Sequence, residues 1–141
     1  MSSTGSKLGS ARIMPVLAVD DVDRAVGFYR DKLGLKVDKD ESEPGYATVE
    51  VGDTHLLLYK TSYRRGENTA AAFEIEDVEG TVKDLQSRGV RFEEYDFPGL
   101  KTVNGIATES SGNKSAWLKD TEGNTIAISQ PMASRASRKA A

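Results

Sequence analysis

The feature that most constrains the fold of this chain is an internal duplication with a period of about 55 residues. Ile75-Glu76-Asp77-Val78 repeats Val19-Asp20-Asp21-Val22, and Gly89-Val90-Arg91-Phe92 repeats the pattern of Gly34-Leu35-Lys36-Val37. Self-similarity at a fixed spacing marks a repeated structural unit. Two copies are too few to stack as a solenoid, so we expect two similar modules within one fold.

Each copy contains the signals of a capped helix followed by a stop. Asp21 can accept hydrogen bonds from the first free N–H groups of a helix, and Gly34 stands where a left-handed residue ends one. The apolar stripe between them has helical spacing: Val22, Val26, Tyr29 and Leu33. The sequence therefore predicts helices over about 22–33 and 78–88.

Short apolar runs bounded by turn residues predict the strands. In the first copy these runs cover 12–19, 35–40, 46–51 and 54–60. In the second copy they cover 69–76, 90–96, 115–119 and 125–130, with a possible short strand at 106–109 inside a Gly/Ser-rich loop.

A length of 141 residues predicts one domain. We expect residues 1–10 to be disordered, residues 11–130 to form a single domain of two modules, at about 11–60 and 69–130, and residues 131–141 to form a flexible basic tail.

Composition excludes several kinds of site. The chain has no cysteine, which excludes disulfides, thiolate catalysis and zinc–thiolate sites. No apolar run has membrane-spanning length, and we predict a cytoplasmic location without membrane contact.

The net charge is −3, from 19 basic and 22 acidic residues, but the flanks hold five basic residues and no acid. Residues 13–130 therefore carry 14 basic against 22 acidic residues, or −8, which argues against a nucleic-acid partner and suits a cationic ligand.

Two of these stretches resemble motifs of the vicinal oxygen chelate superfamily, which includes glyoxalase I, bleomycin-resistance proteins, fosfomycin-resistance proteins and extradiol dioxygenases. The stretches are Val19 to Leu35 and Ala116 to Ile126. The second resembles the family's aromatic–x–Asp–Pro–Asp–Gly–Asn turn, with Thr121 and Glu122 in place of Pro and Asp. The resemblance covers about Ile13 to Gln130. It implies an α+β fold of two βαβββ modules, with curled mixed sheets around a concave ligand face, and a homodimer.

Enzymes of that family mostly hold a divalent metal on the concave face. The resemblance puts the four ligand positions seven residues before Asp21 and Asp77 and three residues after Asp53 and Asn124. These positions are Met14, Ala70, Leu56 and Ala127. None of these side chains binds a hard or borderline cation, because a methionine thioether suits only soft metals. We therefore predict no metal and no cofactor.

Strand alternation predicts which side chains line the concave face. The expected set is Met14, Val16, Ala18, Leu56, Leu58, Lys60, Ala70, Ala72, Glu74, Ala127 and Ser129. The opposite set is larger and more apolar, as expected of a face that packs on helices. Small side chains on the concave face leave room for an apolar or aromatic molecule. Alternatively, they let modules or subunits pack closely.

Further candidates lie on the same strands. Tyr46, Thr48 and Glu50 share one strand face, and Trp117 fits either a ligand-stacking role or a core or interface role. Glu74 is a candidate general base or acceptor of a ligand cation, or the partner of a salt bridge. His55, the only histidine, is a candidate base or metal ligand, although alternation places it opposite Leu56 and favours a structural or surface role.

The sequence favours metal-independent binding of a small apolar or aromatic molecule, with a cationic ligand also suited, as in bleomycin-resistance proteins that sequester a drug. The alternative is a glyoxalase- or dioxygenase-like enzyme, a lyase or oxidoreductase, with a displaced metal site or cofactor-free acid–base catalysis by Glu74 or His55. A third reading is a purely structural dimer or partner module. No nucleophile–base set, phosphate-binding glycine loop or dinucleotide fingerprint is visible.

Overall fold

Two mixed β-sheets, each carrying one helix, make up the fold. The computed structural model describes residues 13–43, 45–61 and 68–131. The predicted N-terminal segment 1–10, most of the predicted tail 131–141 and the polar connection at 62–67 lie outside the described residues. No helix in the described ranges has the length and apolar composition needed to cross a membrane.

The first module is built from 16–60. Its elements are β1 (Val16–Val19), α1 (Val22–Gly27) with a π-helical continuation (Phe28–Lys32), β2 (Lys36–Glu43), β3 (Tyr46–Val51) and β4 (Thr54–Lys60). The sheet order is β1-β4-β3-β2, with β1 and β4 parallel and the other neighbours antiparallel. The predicted hairpin over Gly52-Asp53 is confirmed residue for residue.

The second module is built from 69–129. Its elements are β5 (Thr69–Glu74), α2 (Val78–Ser87), β6 (Asp96–Phe97), β7 (Leu100–Val103), β8 (Ile106–Thr108), β9 (Lys114–Lys119) and β10 (Thr125–Ser129). The sheet order is β5-β10-β9-β8-β7-β6, again with a single parallel pair, β5 with β10. The predicted α+β fold of two strand–helix–strands modules is therefore confirmed.

Both helices begin as the sequence predicts. The Asp21 carboxylate accepts from the Arg24 N–H at 3.0 Å, and the Asp77 carboxylate accepts from the Gly80 N–H at 2.9 Å. The first helix widens into π geometry after Gly27, where the Leu33 N–H donates to the Phe28 carbonyl five residues earlier. It then stops at Gly34, whose φ of +72° is in the left-handed region.

One hydrophobic core joins the helix-facing sides of the two sheets. Its buried side chains come from both modules: Leu17, Val19, Val22, Ala25, Tyr29, Ala47, Val49, Leu56, Leu58, Val78, Val82, Leu85, Val90, Phe92, Ala116, Leu118, Ile126 and Ile128. The core explains why a chain with an ordinary apolar content folds as one unit, because each sheet buries one face only.

In β4, the predicted orientation of the side chains is wrong. Leu58 lies opposite Leu17 across the parallel pair, and both Leu56 and Leu58 are buried in the core against the helices. The side chains that share a face with Val16 are those of Leu57 and Tyr59. The prediction placed Leu56 and Ala127 by the same count of three residues, from Asp53 and from Asn124, but the turn before β4 has two residues and the turn before β10 has five. A shift of one residue exchanges the two faces of a strand.

Residues 93–105, which we call the excursion, interrupt one strand of the second sheet. Phe92 forms a single antiparallel bridge with Leu118, and Ile106 then pairs with Ala116, two residues further along β9. The chain therefore ends its pairing with β9 at Phe92, forms β6 and β7 at the far edge of the same sheet, and pairs with β9 again as β8. The predicted strand over 90–96 is wrong beyond Phe92, whereas the short strand suggested at 106–109 is confirmed at Ile106–Thr108.

A turn at 120–124, between β9 and β10, fastens the second module to the first. The Glu122 carboxylate accepts from the backbone N–H groups of Asp20 and Asp21 at 2.8 and 3.0 Å. It also binds the Arg24 guanidinium through two hydrogen bonds of 2.8 and 3.0 Å. Its side chain is fully buried. The motif turn therefore has a structural role at the junction of the modules.

Asp120 completes this junction from inside the core. Its carboxylate accepts from the Tyr29 hydroxyl at 2.8 Å and from the side-chain amide of Asn124, which also donates to the Ala18 carbonyl. Burial and the nearby Asp120 charge raise the pKa of Tyr29, so the hydroxyl stays protonated and donates. Every polar partner in this buried group is thus satisfied by another member.

Candidate functional site

The concave face of each sheet, defined here as the face turned away from the helices, carries the candidate site residues. In the second module, strand register places Ala127 opposite Trp117 and Ala72, and Ser129 opposite Ser115 and Glu74. The alternate residues of β10, Ile126 and Ile128, are in the core. The placement of Ala72, Glu74, Ala127 and Ser129 thus agrees with the expected orientation.

Three aromatic side chains form a wall on this concave face. The rings of Trp117 and Tyr95 meet edge to face, with centroids 5.6 Å apart, and the ring of Phe97 lies 5.7 Å from that of Tyr95. Trp117 is half-buried, whereas Phe97 is 56% exposed. We call Trp117, Tyr95 and Phe97 the aromatic wall. Exposed aromatic surface of this kind is a feature of ligand and partner sites.

The excursion holds the aromatic wall in place. The Tyr95 N–H donates to the Thr102 hydroxyl at 2.8 Å, and the Thr102 N–H donates to the Tyr95 carbonyl at 2.9 Å. The Thr102 hydroxyl in turn donates to a Glu94 carboxylate oxygen at 2.6 Å. These bonds tie β7 to the chain just before β6, so the position of Tyr95 is fixed by backbone contacts at both ends.

Negative charge lies beside the aromatic wall. Burial and the neighbouring Glu93 carboxylate both raise the pKa of Tyr95. Glu74 extends the acidic character along the same face on β5. A negative field over exposed ring faces favours a cation more than a neutral or anionic molecule.

Small side chains lie on the same face as the wall. Ala127 is almost completely buried, Ala72 is exposed, and Ala107 lies opposite Ser115 on the same face. Ala70 lies at an irregularity in the pairing of β5 with β10, where Thr125 pairs with Thr69 and Ile126 with Ala71. Ala70 is therefore exposed but lies outside the regular register that holds the other small residues.

The concave face of the first module is more polar. Tyr46, Thr48 and Glu50 lie opposite Tyr59, Leu57 and His55 respectively, so all six share this face. Val16 and Met14 are exposed at its β1 edge. The placement of Tyr46, Thr48, Glu50 and Val16 agrees with the expectation, whereas Leu56 and Leu58 are excluded from the face by their burial in the core.

His55 lies on the concave face, contrary to the expected placement. Its Nε2 is 3.8 Å from a carboxylate oxygen of Asp38 on β2, and its ring is about one third exposed. Glu50 is its cross-strand neighbour and lies 3.9 Å from the ammonium group of Lys36. The position of His55 follows from the same shift in β4 that moves Leu56 into the core.

The residues at the metal-ligand positions implied by the family resemblance do not fit a divalent metal. Met14, Leu56, Ala70 and Ala127 offer no oxygen or nitrogen donor, and Leu57, which replaces Leu56 on the concave face, offers none either. Across the described residues, no three His, Asp or Glu side chains are grouped closely enough to hold an ion. These positions therefore do not supply the ligands for a metal-dependent reaction.

Sequence reasoning missed Tyr95 and Phe97. It assigned 90–96 to a regular strand. The signals that mark the excursion are the two turn pairs, Pro98-Gly99 and Asn104-Gly105, within a few residues of each other. Two turns so close together predict a hairpin in place of one strand.

Comparison with known proteins identifies relatives. A sequence model described as the Glyoxalase/Bleomycin resistance protein/Dioxygenase superfamily matches residues 10–128. The uncharacterised protein YraH of Bacillus subtilis (strain 168) is 33% identical over 91 residues, which cover 55% of this chain and 71% of the relative.

Solved structures share the fold at low sequence identity. A bleomycin-binding protein from the bleomycin-producing Streptomyces verticillus, complexed with copper(II)-bleomycin, matches with a TM-score of 0.66 and 24% identity over 84% of this chain and 94% of the other. A bleomycin-binding protein complexed with bleomycin matches with a TM-score of 0.66 and 18% identity, covering 86% and 99%. Lactoylglutathione lyase from Agrobacterium tumefaciens matches with a TM-score of 0.62 and 21% identity, covering 86% and 93%.

Proposed function

Because the chain belongs to the glyoxalase/bleomycin resistance protein/dioxygenase superfamily, we propose that it binds a flat, aromatic, cationic small molecule on the concave face of the second module without a metal ion. The observation that carries this proposal is the aromatic wall of Trp117, Tyr95 and Phe97, in which Phe97 is exposed, the other two rings are half-buried, and the Glu93 carboxylate lies near Tyr95. Similar structures in complex with bleomycin show that this fold can hold a small molecule.

The chemistry of the wall sets the class of ligand. Aromatic faces attract cations by about 0.5–2 kcal/mol each, depending on how far they are shielded from water. Ala72 is exposed on the same face and adds little bulk, so a planar ring system would contact the wall better than a branched aliphatic molecule. Glu74 and Glu93 add attraction for positive charge.

We further propose that the protein is a homodimer and that the second copy covers the concave face. Apolar side chains are exposed at the β1 edge of the first sheet, with Ile13 at 85% and Val16 at 53% exposure, and Tyr59 lies next to them on β4. A contiguous apolar surface on an unpaired edge strand is typical of an interface between copies. A cytoplasmic location stays a prediction.

Calorimetric titration tests the ligand class with a matched pair of probes. Proflavine is a planar three-ring cation, and 9-anthracenecarboxylate is a planar three-ring anion. We expect proflavine to bind with a micromolar Kd, and the anion to bind at least tenfold more weakly, which corresponds to about 1.4 kcal/mol. Equal affinities would contradict the proposed charge preference.

Two variants assign that binding to the aromatic wall. Trp117→Ala removes the largest ring, so we expect at least a tenfold loss of proflavine affinity. Trp117→Phe keeps an aromatic face and should retain most of the affinity. Circular dichroism and the thermal midpoint check that both variants fold. Unchanged affinity in folded Trp117→Ala would place the ligand elsewhere.

The second candidate function is cofactor-free proton transfer, and the position of His55 beside Asp38 on the concave face is the observation that favours it. The separation of 3.8 Å is longer than a hydrogen bond, so the pair would have to close on substrate. Deuterium incorporation from D2O into small ketones, followed by NMR, tests this function. Incorporation catalysed by the wild type and abolished in His55→Gln would support it, and incorporation equal to the buffer rate would exclude it for those ketones.

A further inference from the structure

The second module carries a groove on the side of its sheet opposite the concave face. It has a volume of about 1010 Å³ and lies between α2 and the β7–β8 hairpin. The helix contributes Val82 and Lys83, the chain after the helix contributes Arg91 and Phe92, and the β7–β8 hairpin contributes Val103 and Ile106. Five of the sixteen residues that line the groove belong to the excursion: Glu94, Lys101, Val103, Asn104 and Gly105.

The floor of the groove is apolar. Val82, Val90 and Phe92 are buried beneath it, and Ile106 is half-buried. Val103 is 65% exposed at its edge, which is unusual for a strand residue on the helix-facing side of a sheet. An apolar floor with an exposed apolar rim can bury the hydrocarbon part of a small molecule.

The rim of the groove is positively charged, in contrast to the acidic chain around it. Arg91 and Lys101 form no ion pair with any described residue, and Lys83 has only a longer-range attraction to Glu79. Glu79 is already bound to Lys114. The remaining carboxylate at the groove, Glu94, accepts a hydrogen bond from Thr102.

We propose that this groove is a second binding site, for a small amphiphilic organic anion whose apolar body lies on the floor and whose carboxylate, sulfonate or phosphate group meets Lys83, Arg91 and Lys101. The volume is that of a small-molecule site, and all three cations line the groove. This site is separate from the concave face, so its failure and that of the proposed function are measured independently.

A pair of fluorescent probes tests the proposal. 1-Anilinonaphthalene-8-sulfonate carries the anionic group, and N-phenyl-1-naphthylamine has the same aromatic body without it. We expect Lys101→Glu to weaken binding of the sulfonate about tenfold, because it replaces an attraction by a repulsion. The uncharged probe should lose less than twofold. Lys60→Glu makes the same charge change in the first module and is the matched control.

Methyl NMR spectra then locate the bound probe. Saturating the wild type with the sulfonate should shift the methyl signals of Val82, Val103 and Ile106 and leave those of Ala72 and Ala127 in place. Equal weakening by Lys60→Glu and Lys101→Glu, or shifts confined to Ala72 and Ala127, would overturn the proposal. Tight binding of polyglutamate with no binding of the sulfonate would also overturn it, since the groove would then recognise an acidic protein surface.

Discussion

At the residue scale, Glu122 shows how a charged side chain can be buried at low cost. Its two oxygens accept hydrogen bonds from two backbone N–H groups, from the Arg24 guanidinium and from the Thr121 hydroxyl. Burial by itself raises the pKa of Glu122, but these hydrogen bonds outweigh that effect and lower it to about 2. The carboxylate therefore stays charged and holds the first turn of α1 against the turn at 120–124.

Replacing Glu122 by Gln should destabilise the protein by about 2–3 kcal/mol. A neutral amide has one oxygen, so it cannot accept all of these hydrogen bonds, and it loses the ion pair with the half-exposed Arg24 guanidinium. Urea unfolding followed by circular dichroism measures this. Glu79→Gln is the control: it removes an exposed ion pair with Lys114 and should cost less than about 1 kcal/mol. Equal losses for the two variants would contradict the structural role of Glu122.

The same carboxylate predicts a pH dependence of stability. Its pKa in the folded protein, about 2, lies below the usual glutamate value of 4.5, which we take for the unfolded chain. The unfolded chain therefore binds more protons between these values, and the stabilisation present above pH 4.5 is lost as the pH falls toward 2. The difference in unfolding free energy between wild type and Glu122→Gln should shrink over this window. A difference independent of pH would show that folding does not shift the pKa of Glu122, which would contradict this account.

At the scale of elements, the parts that the two modules share could be predicted from the sequence, whereas the excursion at 93–105 could not. Both helices and the β3–β4 hairpin follow from caps, glycine stops and alternation. The orientation of the β4 side chains was not predicted. The same count of three residues from the turn reaches the concave face in β10 but the core in β4, where the preceding turn is three residues shorter. Tyr95 and Phe97 were missed because the excursion replaces one predicted strand by two short ones. Ala127 and Ser129 lie on the face predicted for them, since β9 and β10 are regular.

Gly105 is the residue that lets the excursion close. Its φ is +80°, and a Cβ at this position would lie 2.9 Å from the Cβ of Phe92, the last residue before the excursion. Gly105→Ala should therefore cost about 2–3 kcal/mol, from left-handed strain and a backbone shift. Gly99→Ala is the control, with φ +89° but open space around its Cβ among the described residues, and should cost about 1 kcal/mol. Thermal unfolding gives both values, and a larger loss at Gly99 would contradict this account of the excursion.

At the scale of the whole molecule, the two modules share a core but present different surfaces. The concave face of the first module carries Asp38, Glu50 and His55, whereas that of the second carries the aromatic wall. The edge strand β1 leaves Ile13, Met14 and Val16 exposed. The proposed dimer would bury this edge and enclose a ligand more completely than one copy does.

A charge on that edge tests the dimer. Val16→Glu should convert the protein to a monomer, because a carboxylate on an edge strand prevents pairing with a second copy. Val103→Glu introduces the same charge at a similarly exposed valine in the groove and should leave the dimer intact. Sedimentation velocity distinguishes the two. A wild type that is monomeric at every concentration, or two variants with equal effects, would rule out an interface at β1.

The most direct test of the proposed binding function uses the fact that Trp117 is the only tryptophan in the chain. Its indole N–H gives one signal in a ¹⁵N–¹H correlation spectrum, which can be followed while proflavine is added. The aromatic wall predicts a saturable shift of this signal with the Kd found by calorimetry. A signal that stays in place while calorimetry detects binding would show that the ligand does not contact the aromatic wall.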